Sequence, residues 1–160
     1  MIKLGCNAMR KLETPDSYTD VERLIDLIHE LRFDFVDFQL YRGFRSREAD
    51  FLLYLKHKCL RYGLPIGFVA PEGGFVGSSV TADGALIGVP LPQDELRDTI
   101  AGAKDAVDVA VLMGAPLIRV VGGGIPTESP NRQELWQIVV SSFQEPVSYT
   151  HLTLPTNREV

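Results

Sequence analysis

The chain has 160 residues, enough for a globular domain with its own core, and 45% hydrophobic with 23% charged residues is the balance of a folded soluble protein rather than a disordered or fibrous one. Its net charge of -5 gives no basic surface for a phosphate backbone, which argues against a nucleic-acid partner, and no apolar run approaches the ~20 residues of a membrane span. The two cysteines, Cys6 and Cys59, lack metal-ligand spacing, and no charged-then-apolar leader opens the chain, so a cytoplasmic protein without a disulfide is expected.

Ile2 to Gly5 is a short apolar start leading to Cys6-Asn7, which predicts a first strand ending at Asn7. After a polar linker through Pro15, Thr19 and Glu22 have the form of a capping box. Val21, Leu24, Ile25, Ile28 and Leu31 then repeat at helical spacing. Phe35 to Leu40 is rich in strand formers and predicts the second strand.

Ser46 ahead of Glu48 announces a second helix that should bury Leu52, Leu55, Cys59 and Leu60 and stop at Gly63, a residue suited to a left-handed cap. Pro65 to Ala70 is the third strand, followed by a long Gly-rich stretch from Pro71 to Pro92 with no element of its own. A third helix starting near Asp94 carries Leu96, Ile100, Ala103, Val107, Ala110 and Val111 as its stripe and ends at Gly114. Leu117 to Val121 is the fourth strand and runs into Gly122-Gly123-Gly124. A fourth helix starting at Ser129-Pro130 should bury Leu135, Ile138 and Val139.

The order βαβαβαβα, with strands one to three starting about 30 residues apart, is that of parallel pairing through helical crossovers. Periodicity leaves two outcomes open, a doubly wound open sheet or a barrel. The segments Lys3-Leu4-Gly5-Cys6-Asn7, Phe33 to Gln39, Gly63 to Ile66, and above all Ala106 to Ala110, Met113 to Pro116 and Ile118 to Gly123 resemble the xylose isomerase-like TIM barrels, a sugar phosphate isomerase and epimerase family. The resemblance covers residues 1 to about 145 and implies an incomplete (β/α)8 barrel of about four βα units, since a closed barrel takes roughly 250 residues. Residues 1–146 are thus expected to be the N-terminal half of such a barrel. Two departures stand out: members often carry glutamate where this chain has Gln39, and glycine after the first helix where it has Arg32.

From Val147 the chain reads Val-Ser-Tyr-Thr-His-Leu-Thr-Leu-Pro-Thr, which resembles one reading frame of a transposase adapter used in sequencing libraries. Residues 147–160 are therefore expected to be a non-native tail, the other reading being an edge strand over Tyr149 to Leu154. His151 is accordingly set aside as a catalytic candidate.

In a TIM barrel the site lies at the C-terminal ends of the strands. The candidates there are Asn7, Gln39, Tyr41, Arg119, Gly122 and Gly123 for substrate binding, with Glu72 as the one catalytic candidate because it is a carboxylate at a strand end flanked by glycines. Asn7 and Gln39 can each donate to and accept from a hydroxyl. Arg119 alternates with Ile118 and Val120, so on an inner face its charge needs a carboxylate or a bound anion. Gly122 to Gly124 matches neither a P-loop nor a dinucleotide fingerprint.

No Glu, Asp and His cluster with metal-ligand character is present in the sequence, so no metal site is expected within the chain itself. The resemblance implies a divalent metal for the complete parent protein, held by residues beyond this chain. The expected parent activity is metal-assisted proton transfer next to the carbonyl of a sugar or sugar phosphate, with the chain alone inactive and its open strand edges prone to self-association. The alternatives are a non-catalytic flavodoxin-like α/β binding module and an abasic-site endonuclease-related barrel.

Overall fold

The computed structural model describes residues 3–8, 20–40, 46–126 and 129–153. In chain order the elements are β1 (Gly5–Ala8), α1 (Val21–Glu30), β2 (Phe35–Gln39), α2 (Ala49–Arg61), β3 (Ile66–Ala70), β4 (Gly74–Val80), β5 (Leu86–Pro90), α3 (Gln93–Met113), β6 (Leu117–Ile118), β7 (Val121–Gly123) and α4 (Arg132–Thr153). The chain divides into two compact units, one of Met1–Glu72 with Ala106–Arg119 and one of Gly73–Asp105 with Val120–Val160. No helix of the described residues is long and apolar enough to cross a membrane.

The first unit holds a four-stranded, all-parallel sheet in the order β1-β2-β3-β6. Side chains alternate across a strand, so Ala8, Val36, Phe38 and Val69 share one face. There they form a core with Ile25 and Ile28 of α1, Leu52, Leu55 and Cys59 of α2, and Ala106, Val109 and Met113 of α3. Burying each large aliphatic side chain contributes about 1.5–3 kcal/mol. Three helical segments on one face of a sheet whose strands follow sequence order is barrel topology. A doubly wound sheet places its first strand inside the sheet and splits its helices over both faces. β1 lies at the edge, so the flavodoxin-like alternative is overturned.

The opposite face carries Gly5, Asn7, Phe35, Asp37 and Gln39. Phe35 lies across the sheet on this side, and a Cβ at Gly5 or Gly67 would collide with its ring. Those two glycines are what let the aromatic ring cover neighbouring strands.

The helix ends of this unit share one device. Phe33 N–H bonds to Ile28 O (3.2 Å), Leu64 N–H to Cys59 O (3.0 Å) and Ala115 N–H to Ala110 O (2.9 Å), the six-to-one bond of a Schellman ending. The left-handed residue is Gly63 after α2 (φ 64°) and Gly114 after α3 (φ 75°), as the sequence predicts, but Arg32 after α1 (φ 59°). At its start α1 is capped by Asp20, which accepts from Arg23 N–H at 3.0 Å, one residue after the expected Thr19. Thr19 itself lies outside the described residues. Ser46 Oγ accepts from Glu48 N–H (3.0 Å) ahead of α2.

Between α1 and α2, Asp26 accepts from Tyr62 Oη (2.6 Å) and pairs with the buried Lys58 Nζ (2.6 Å), while His29 stacks on Tyr62. The Lys58 contact holds the Asp26 carboxyl below its ordinary range, with Tyr62 adding to the effect. Burial works against the Lys58 charge, but Asp26 outweighs it and lifts that amine above its usual value.

In the second unit the stretch read as a structureless Gly-rich loop is a β-hairpin. β4 and β5 pair antiparallel, and β4 also pairs in parallel with β7. The turn is closed by Thr81 N–H to Ala85 O (2.9 Å) with Gly84 at φ 85°, so the Asp83-Gly84 dipeptide acts as a hairpin signal. The predicted fourth strand divides into β6 and β7. Phe75 and Val76 pack with Leu135 and Val139 of α4, and the Phe75 and Phe143 rings meet edge to face at 4.9 Å.

α4 begins at Arg132 rather than at Ser129, whose buried Oγ instead accepts from Gly88 N–H at 2.8 Å. The helix continues past Pro146 to Thr153, so Tyr149 to Thr153 is helical and not the alternating edge strand.

Candidate functional site

The ends of β1 and β2 bring two amides together. Asn7 Nδ2 donates to Gln39 Oε1 at 3.1 Å, and Gln39 is only 8% exposed. Asn7 Oδ1 is buried and has no hydrogen-bond partner. A buried acceptor left unmet costs roughly 1–3 kcal/mol, so the arrangement is one a ligand would stabilise.

Asp37 stands on the same face of β2, in register with Asn7 of β1. It is 7% exposed, and its Oδ1 accepts from Phe68 N–H at 3.1 Å. Burial raises the carboxyl above its ordinary range, while the Phe68 hydrogen bond and the charge of Arg119 pull it back only in part. Gly67 is needed here too, because a Cβ would run into Asp37 Oδ1. Sequence reading overlooked Asp37. The available signal was its parity with Gln39, two residues on along the same strand.

Arg119 follows β6 directly and is held by its N–H to Val69 O (2.9 Å), with its guanidinium 5.9 Å from the centre of the Phe68 ring. Among the described residues its side chain makes no ion pair. The buried carboxyl of Asp37 feels the Arg119 charge through its field, but the two form no ion pair among the described residues. Asn7, Gln39 and Asp37 thus share one sheet, and Arg119, just past its last strand, belongs to the same unit.

Glu72 is exposed in the turn after β3. Tyr41 lies outside the described residues. Gly122 and Gly123 belong to the second unit. There Gly123 (φ 106°) lies against the Val76 backbone, and a Cβ at Gly122 would come within 2.9 Å of Val139 Cγ1. Both glycines therefore permit close packing of β7, and both also line a cleft of about 770 Å³ with Ile125, Arg132, Trp136 and Phe143.

Among the described residues no three His, Cys, Asp or Glu side chains converge as a metal site would require. Neither cysteine is bridged, and burial pushes the Cys59 thiol up to about 12, which makes it an inert core residue.

Solved structures resemble this chain in fold. A D-tagatose 3-epimerase-like protein superposes with a TM-score of 0.63 at 19% identity, over 99% of this chain and 55% of its own. D-psicose 3-epimerase from Clostridium cellulolyticum H10, solved with D-tagatose, gives 0.60 at 15% identity, over 94% of this chain and 49% of its own. A xylose isomerase domain protein from Planctomyces limnophilus gives 0.52 at 16% identity, over 79% of this chain and 46% of its own. No family model and no curated protein matches the chain.

The fold these comparisons define is an incomplete (β/α)8 TIM barrel of about four βα units, as the sequence resemblance implies. The chain spans about half the length of the structures it matches.

Proposed function

We propose that this chain is the substrate-gripping part of a sugar isomerase or epimerase. The observation that carries the reading is the paired amides of Asn7 and Gln39 at adjacent strand ends, with a buried acceptor still unmet. The barrel resemblance supports it, because strand ends are where such enzymes hold their substrates. Arg119 supplies a positive charge free of any ion pair among the described residues, suited to the oxyanion that develops at a sugar carbonyl or to a phosphate group. Free cysteines fit a reducing cytoplasmic compartment.

In the complete parent enzyme a divalent metal would polarise the substrate carbonyl. The described residues do not fit such a metal, so its ligands would come from outside them, and the reading takes the chain alone to be inactive. What this chain contributes is orientation: Asn7 and Gln39 fix hydroxyl groups, and the Arg119 charge steadies negative charge on oxygen. The test is an assay of the complete gene product against a panel of aldoses and ketoses, with and without Mg²⁺ or Mn²⁺. Metal-dependent interconversion of a member is expected, and none with any sugar would overturn the reading. Turnover by residues 1–146 alone would overturn the assignment of the metal ligands to other segments.

A further inference from the structure

We infer that the Asn7 and Gln39 pair reads one neutral hydroxyl group of a polyol and rejects an anionic group at the same place. The inference rests on the proposed sugar specificity and adds which chemical group this corner of the site accepts.

The argument is one of donors and acceptors. A primary amide has one acceptor oxygen and an NH₂ donor group. The bond from Asn7 Nδ2 to Gln39 Oε1 uses a donor from one residue and the acceptor of the other. The pair is left with the Asn7 Oδ1 acceptor, buried and unmet, beside the amide N–H groups that the internal bond does not use. Reversing both amides exchanges the two roles and leaves the same demand, an unmet acceptor oxygen beside amide N–H donors.

A hydroxyl satisfies both at once, since its hydrogen donates to Oδ1 and its oxygen accepts from Nε2. A phosphate or carboxylate oxygen can only accept. It would leave Oδ1 unmet and set its own negative charge against that oxygen, on a sheet face that also carries the buried carboxyl of Asp37. A ligand cation is excluded by the converse argument, because it cannot accept from Nε2. Other clusters have no such open demand: Asp26, Lys58 and Tyr62 already satisfy one another between α1 and α2.

The test follows the side-chain amide signals of Asn7 and Gln39 in proton–nitrogen correlation spectra of the labelled 160-residue chain. They are assigned by Asn7→Asp and Gln39→Glu, near-isosteric changes that each delete one pair of signals. Titration with D-tagatose is expected to move both amides saturably, whereas inorganic phosphate at matched ionic strength leaves them in place. Each variant replaces one amide NH₂ with a carboxylate oxygen, putting a surplus acceptor and a negative charge beside the hydroxyl, and is expected to weaken sugar binding roughly tenfold or more, the penalty for losing a buried polar match. Retained backbone dispersion in the same spectra shows that the variants are folded.

Equal binding by either variant, or an equal response to phosphate, overturns the inference. Sugar-induced shifts elsewhere that spare these two amides overturn it while leaving the sugar-enzyme reading intact. The absence of any shift with a panel of aldoses and ketoses sinks both.

Discussion

Asp37 is a carboxyl whose protonation is set by the face of the sheet it occupies. Its folded-state pKa lies above the ordinary 3.8, because burial penalises the charged form more than Phe68 and Arg119 favour it. A raised folded value means that its contribution to stability is fully present below the unfolded pKa and is lost as pH rises through the folded one. Asp37→Asn keeps an acceptor for Phe68 N–H and removes the charge. Urea denaturation across pH should find the variant more stable than the parent at neutral pH, with the difference disappearing below about pH 3.8. A variant less stable at neutral pH would show that Arg119, and not burial, dominates. The sequence showed Asn7 and Gln39 as hydroxyl-reading candidates because their positions at strand ends are local information. It did not show Asp37, whose importance comes from register with β1 and from the Phe68 amide on the next strand, both tertiary facts.

At the scale of elements, the three Schellman endings form an internal control. Two place glycine at the left-handed position and α1 places Arg32 there, where a Cβ costs about 1–2 kcal/mol. Arg32→Gly should therefore stabilise the chain, by about 0.5–1 kcal/mol once glycine's greater unfolded-state freedom is subtracted, read as a higher urea midpoint at unchanged slope. No gain would mean that the Arg32 side chain makes compensating contacts.

Helix existence and most buried stripes were legible, since amphipathic spacing is written in the residues. Leu60 was misjudged: at 100° per residue it sits roughly 80° round from Leu52, off the stripe, and it is 64% exposed while Leu55 is fully buried. Val111 fails in the same way. The β4–β5 hairpin was missed because its strands are glycine-rich and partly exposed. They lack apolar alternation, and only the Asp83-Gly84 turn betrayed them.

For the molecule as a whole, the sheet of the first unit ends in two strands, β1 and β6, each paired on one side only among the described residues. Leu117 on β6 is an apolar side chain left 65% exposed. Open parallel edges are templates for further strands. Two copies of four parallel strands supply the eight of a closed barrel, and two copies of a chain about half as long as its structural neighbours supply their length. Light scattering coupled to size exclusion should find a species of twice the chain mass at micromolar concentration, with an unfolding midpoint that rises with concentration. A monomer with concentration-independent, cooperative unfolding would contradict this.

Strand order in this sheet repeats sequence order, and that bears on how the chain is made. Each new strand leaving the ribosome meets a partner synthesised a few tens of residues earlier, and the helix between them is already long enough to fold back over the pair. Assembly of this sheet can advance from the amino terminus as a zipper, its strands joining in the order of their synthesis.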